Sequence, residues 1–144
     1  MIVIKSLLLI VSLSAAPTAA SAFCFDEAAA AHGLSPALLR TVAAQENDRA
    51  DPAAVNWNGD GSYDYGVMQI NSWWAGVLGT DRWAALGDPC YNVNVGAWIL
   101  AQCIQRYGNT WRAVGCYNAR SEEKRARYAW RIHGALRRGA AGAR

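Results

Sequence analysis

One stretch of this chain cannot be regular helix, and it divides everything else. Between Asp51 and Asp64 the residues Pro52, Asn56, Asn58, Gly59, Asp60, Gly61 and Ser62 crowd together. Such residues favour turns, so the segment reads as a loop or small hairpin. On both sides helical patterns dominate. Phe25 to His32 predicts a short helix ended at Gly33, a residue suited to a left-handed C-cap. Ser35 as N-cap and Pro36 as first helical residue start a second helix. Tyr65 to Ile70 is expected to be extended and to lead into a short helix around Ser72 to Leu78. Asp88-Pro89 opens a long helix reaching about Tyr107. Its buried stripe is Val93, Ala97, Leu100, Ile104 and Tyr107, and Gly96 leaves room for another backbone to come close. Thr110 can cap a short helix reaching about Asn118. Ser121 can cap the last helix, with Glu122 and Glu123 at its positive end and Arg137 and Arg138 at its negative end. The fold class is a mainly α, small helical domain with one irregular loop or hairpin lobe.

At 144 residues the chain is long enough for one domain with an ordinary core. Its first segment does not count toward that core. Lys5 precedes an apolar run from Ser6 to Ala16 that is too short to span a bilayer easily, Pro17 breaks the run, and Ala20-Ser21-Ala22 has the small-x-small pattern of a signal-peptidase site. Residues 1–22 are therefore expected to be a cleaved signal peptide, residues 23–138 the domain, and residues 139–144 a flexible tail. An exported chain meets an oxidising compartment, so the four cysteines Cys24, Cys90, Cys103 and Cys116 are expected in disulfides. Three pairings are open. Cys90 and Cys103 bracket most of one helix, and a rise of about 1.5 Å per residue holds them apart. Cys103 and Cys116 mirror each other about the turn at Tyr107 to Asn109, which favours that pair and leaves Cys24 with Cys90.

Several function classes are disfavoured. His32 and His133 have no partners at ligand spacing, so no metal is expected; there is no phosphate-binding glycine loop, and no cofactor is implied. The basic residues from Arg120 to Arg138 read first as a solvated helix face, with weak attraction to an anionic polymer as the functional alternative. Nucleic acid is a poor candidate for that polymer without a recognisable binding motif. After signal cleavage no stable membrane anchor is expected.

Glu46 carries the chemistry. Leu39, Val42 and Ala43 precede it by seven, four and three positions, so its carboxyl falls on the apolar stripe of its helix. Burial disfavours the anion and raises the pKa, and a carboxylic acid still protonated near neutral pH can donate to a glycosidic oxygen. Asp64 supplies a second carboxyl in the following loop, where it can face Glu46 across a cleft or simply fix the loop by accepting hydrogen bonds. Of the seven tryptophans most are expected in the core, with Trp57 the best candidate for a sugar platform and Tyr63 and Tyr65 comparable ones.

The segments Gln45-Glu46-Asn47 with Asn56, Asp64-Tyr65-Gly66-Val67-Met68-Gln69-Ile70-Asn71 and Gly115-Cys116-Tyr117-Asn118-Ala119 occur in order. Together they resemble the soluble-lytic-transglycosylase catalytic domain, and within it the small exported enzymes that accompany type III secretion and related envelope machines. The resemblance runs from Cys24 to about Leu136. It implies a lysozyme-like fold and a periplasmic enzyme that cleaves the β-1,4 bond between N-acetylmuramic acid and N-acetylglucosamine in peptidoglycan, leaving a 1,6-anhydro sugar. Glu46 matches the family's catalytic acid. Gln69 and Asn71 match a motif beside the cleft, Tyr117 and Asn118 match its tyrosine-asparagine motif, and Tyr128 matches a further cleft tyrosine. The family has Ser where Asn47 stands, which implies tuned rather than abolished activity, and favours Gly where Arg120 stands. Arg120 is strained if that position needs positive φ; otherwise its charge can reach an anionic peptide stem. The rival readings are a hydrolytic muramidase using Glu46 and Asp64, a non-catalytic peptidoglycan-binding assembly module and, more remotely, a cationic membrane-active protein.

Overall fold

The computed structural model describes residues 23–142. The signal segment expected over residues 1–22 lies outside the described residues, as do the last two residues of the tail. Helices α1 (Phe25–His32) and α2 (Pro36–Glu46) come first, followed by strands β1 (Val55–Trp57), β2 (Tyr63–Tyr65) and β3 (Ile70–Asn71). A 3-10 turn at Ser72–Trp74 leads into α3 (Ala75–Leu78) and α4 (Thr80–Ala84). Helices α5 (Pro89–Tyr107), α6 (Trp111–Asn118) and α7 (Glu122–Gly142) complete the domain, with α7 running past position 138. No helix among the described residues is long and apolar enough to cross a membrane.

Local chemistry starts the helices. Ser35 Oγ accepts from Leu38 N–H, Asp88 Oδ1 from Tyr91 N–H and Thr110 Oγ1 from Ala113 N–H, and Pro36 and Pro89 stand in the first turns of α2 and α5. The last helix begins directly after Ser121.

Tertiary packing decides the rest. The core gathers Leu39 and Val42 of α2, Met68 and Ile70, Val93, Ala97 and Leu100 of α5, and Tyr128 and Ile132 of α7, all buried. Ile104 and Tyr107, expected on the α5 stripe, are only half-buried. Tyr107 instead carries the guanidinium groups of Arg112 and Arg125 at 4.7 and 4.9 Å from its ring centroid, a cationic cover in place of an apolar one. The two disulfides are Cys24–Cys90, tying α1 to α5, and Cys103–Cys116, tying α5 to α6.

The lobe between α2 and α3 is a three-stranded antiparallel sheet in the order β1-β2-β3. A loop from Asn58 to Ser62 joins the first two strands, with Asn58 N–H donating to Ser62 O at 2.8 Å. The extended segment expected from Tyr65 to Ile70 is broken. Gly66 to Gln69 form a turn between β2 and β3, with positive φ of 79° at Gly66 and 49° at Gln69. At Gly66 two demands coincide, because a Cβ there would also collide with the buried Asn92 side chain. The space left by Gly96 is filled by the Met68 side chain, 2.7 Å from where a Cβ would lie, rather than by a second backbone.

The close backbone approach lies at Gly115 instead, where a Cβ would run into the main-chain carbonyl of Arg125 and hold α6 off α7. Alanine gains about 1 kcal/mol of helix propensity over glycine, but backbone cannot rotate away as a side chain can. Gly115→Ala should therefore lose about 1–3 kcal/mol of stability, read as a lower urea midpoint; an unchanged or raised midpoint contradicts this packing.

Candidate active site

Glu46 is the last residue of α2, so its position follows from where that helix stops. Asn47 stops it: its backbone is extended, and its Nδ2 donates to Asp51 O at 2.7 Å and to Gly66 O at 3.3 Å. The Asn47 side chain is thus spent on tying the helix end to the loop and to the 66–69 turn. The Glu46 carboxyl projects into an open cleft of about 1100 Å³, bounded by the hairpin lobe, α3, α5 and the α6–α7 connection.

Tyr128, buried on α7, donates its hydroxyl to Glu46 Oε1 at 2.5 Å. Arg131 lies on the same helix with its guanidinium 5.5 Å from the Tyr128 ring centroid. The Glu46 pKa is pushed up to about 7, first by burial and then by the negative charge of Asp64. The Tyr128 hydroxyl, the Arg131 charge and the Asn118 amide pull the other way by favouring the anion. Position at the C-terminal end of α2, the negative end of its dipole, adds to the cost of the charge. Burial and the neighbouring Glu46 together push the Tyr128 phenol up, so it stays a hydrogen-bond donor over the ordinary pH range.

The other sequence-predicted residues line the cleft around this acid or brace its wall. Asp64 sits in register with Asn56 on one side and Asn71 on the other. Its Oδ1 accepts from Asn71 Nδ2 at 2.8 Å and its Oδ2 from Asn58 Nδ2 at 3.0 Å. Asn71 also caps the following turn, accepting from Trp73 N–H at 3.0 Å. Gln69 is buried with a left-handed backbone, a conformation that costs a non-glycine residue of order 1–3 kcal/mol. Its side chain compensates locally, donating to Gly66 O at 2.8 Å and accepting from Asn56 Nδ2 at 2.6 Å. Tyr117 donates to Met68 O at 2.7 Å, so its phenol holds the 66–69 turn rather than the Glu46 carboxyl. Asn118, on the exposed end of α6, faces the cleft.

Two features were not anticipated from the sequence. Asn92 is fully buried on α5 and clamps the turn: its Oδ1 accepts from Met68 N–H at 2.8 Å, and its Nδ2 donates to the carbonyls of Tyr65 at 3.2 Å and Leu86 at 3.3 Å. Its signal was a polar residue one turn before Gly96 on the face that packs against Met68. Trp57 stands apart from the cleft. It pairs with Tyr63, while Asn56 pairs with Asp64, so strand alternation puts the aromatic pair on the opposite face of the sheet. There Trp57, Tyr63 and Trp83 pack in series, with centroids 5.0 and 6.0 Å apart. The tryptophans that line the cleft are Trp73 and Trp74.

Tyr128→Phe removes the strongest hydrogen bond to the Glu46 carboxylate. The Glu46 pKa should then rise above about 7, as read by NMR titration of ¹³C-labelled glutamate carboxyls. A value that stays put or falls contradicts the role of this hydrogen bond.

Comparison with known proteins adds to this geometry. The family model described as Transglycosylase SLT domain matches residues 23–129. Among similar proteins is "Invasion protein IagB" of Salmonella typhimurium (strain SL1344), 40% identical over 116 residues, covering 76% of this chain and 72% of that protein. "Protein IpgF" of Shigella flexneri is 34% identical over 124 residues, 81% of each chain. A "Peptidoglycan-binding-like protein" of Escherichia coli O157:H7 is 34% identical over 128 residues, covering 79% of this chain and 76% of that protein.

Proposed function

The chain belongs to the SLT transglycosylase family, and from that premise we propose that it is a peptidoglycan lytic transglycosylase with Glu46 as its catalytic acid and base. The observation that carries this reading is the Glu46 carboxyl itself, part-buried in the cleft with a pKa of about 7 and oriented by Tyr128. Half-protonated near neutral pH, it is suited to give a proton in one step and take one in the next. In the first step Glu46 protonates the glycosidic oxygen between N-acetylmuramic acid and N-acetylglucosamine. The C1–O bond breaks and the glucosamine leaves with a free 4-hydroxyl. The Glu46 carboxylate then takes the proton of the muramyl 6-hydroxyl, whose oxygen bonds to C1. A 1,6-anhydro ring closes, Glu46 is protonated again, and no water is consumed.

The environment of Asp64 supports internal attack over hydrolysis. Each of its carboxylate oxygens accepts a hydrogen bond from an asparagine amide, an arrangement suited to holding the sheet and biasing the Glu46 charge rather than activating water. Asn118 and the exposed Trp73 in the cleft are suited to sugar hydroxyls and sugar faces respectively. The leader-like start of the sequence and the two disulfides support a periplasmic location. The similarity to a protein named for invasion supports local wall opening for a secretion or other envelope-spanning machine.

Mass spectrometry of the muropeptides released from purified sacculi tests the chemistry. The wild-type protein should release anhydro-muramyl ends, one water lighter than reducing ends. Glu46→Gln should fold and release almost nothing, and Asp64→Asn should be impaired less severely than Glu46→Gln. Reducing ends, with Asp64→Asn as inactive as Glu46→Gln, would instead make the protein a muramidase.

A further inference from the structure

The cleft holds more positive charge than cleavage of a neutral glycan needs. Besides Glu46, Asp60 and Asp64, it is lined by Arg106, Arg120, Lys124 and Arg125. Arg125 is engaged by Glu122 at 2.9 Å and by Ala119 O at 2.8 Å. Among the described residues, Arg106, Arg120 and Lys124 form no ion pair.

Two of these cations line the wall of the cleft that α6 and α7 form, and Arg120 also lies within the field of Asp60. Arg120 follows Asn118, which lines the cleft with Glu46, by two residues. Lys124 precedes Tyr128 by one turn of α7, which puts it on the same helix face with Cβ atoms about 5–6 Å apart. Arg120 is not left free to wander. Its guanidinium lies 4.3 Å from the ring centroid of Trp73, which rises from the other wall of the cleft, and its backbone is not in the left-handed region. The residue that replaces the family's usual glycine is therefore unstrained and held by stacking, with less side-chain entropy left to lose on binding an anion.

The sugar backbone offers these cations nothing, because both amino groups are acetylated and the muramyl lactyl carboxyl is consumed in the amide link to the peptide. Free carboxylates lie only on that peptide. At about 3.3–3.6 Å per extended residue, its second residue is already roughly 7 Å beyond the lactyl group, within reach of side chains that flank the scissile muramyl unit. We propose that Arg120 and Lys124 are specificity determinants that bind the carboxylates of the muramyl-linked peptide, so that the cleft prefers strands whose peptides carry free carboxylates. This rests on the transglycosylase reading of the cleft and names the part of the substrate that the extra charge recognises.

The test is equilibrium binding by protein carrying Glu46→Gln, which separates recognition from turnover. The two ligands are soluble, uncross-linked glycan strands with their peptides intact and the same strands with every peptide carboxylate converted to a neutral amide by carbodiimide and ammonia. Intact strands should bind roughly three- to ten-fold more tightly at low salt, and the advantage should shrink as salt rises. Adding Arg120→Ala with Lys124→Ala should bring the ratio of the two affinities toward one. Arg137→Ala with Arg138→Ala, an equal loss of charge outside the cleft, should leave the ratio unchanged. Equal affinity for the two ligands at the outset overturns the proposal. So does a ratio that survives the cleft substitutions, or one that collapses equally with the control pair. Failure to bind either strand would contradict the cleft reading as well, and is distinguishable because it does not depend on the peptide carboxylates.

Discussion

A part-buried carboxyl group that a tyrosine reaches from a distant helix is the constraint on which the rest of this structure depends. The hydrogen bond between Tyr128 and Glu46 joins the end of α2 to the middle of α7, across 82 positions of sequence. It exists only because both helices pack into one core. The acid is costly to the fold. With a pKa of about 7 against an ordinary 4.5, the native state binds the proton more tightly than the unfolded chain does. Stability therefore falls as pH rises from about 4.5 through about 7, by up to about 3 kcal/mol. Covalent ties offset a cost of that size. By loop entropy, bridges closing separations of 66 and 13 residues are worth about 4 and about 3 kcal/mol.

The second constraint is the 66–69 turn, which forms the wall facing the acid. Its backbone is unfavourable at Gln69 and tolerates only glycine at Gly66. It persists because polar partners reach it from several elements: Asn47 at the end of α2, Asn92 on α5 and Tyr117 on α6. No buried side-chain polar atom among the described residues lacks a hydrogen-bond partner. Such a network is stable only when complete, and a complete one allows little variation in shape. The cleft is thus defined by buried amides and a phenol, while the exposed surface around it is free to carry charges such as Arg120 and Lys124 that concern the substrate.

How much of this was legible in the sequence depended on the range of the forces involved. The starts of α2, α5 and α6 were readable because each is set within three or four residues by a capping side chain and, in two cases, a proline. The position of Glu46 on an apolar stripe was readable for the same reason. The segment from Tyr65 to Ile70 was not: its residues suit strand, but the turn is imposed by Asn92, 24 and 27 positions away from its partners. The orientation of Trp57 was hidden because strand register decides the face, and register is a property of the pair rather than of either strand. Helix α4 went unread because its five residues, Thr80–Ala84, carry no side-chain cap and too little length to show a period. For the candidate site, the motifs named the residues, but only the fold shows that Asn47, Gln69 and Tyr117 hold backbone while Tyr128 reaches the carboxyl.

The central claim is that the form of Glu46 that begins the reaction is the neutral acid, kept so by its surroundings. The most direct measurement is the pH dependence of kcat/KM on soluble peptidoglycan strands, taken at constant ionic strength. The account predicts a falling limb with its midpoint at about 7, losing about ten-fold in rate per pH unit above it. A rate that goes on rising through that region would mean that the anion begins the reaction, and would contradict the account.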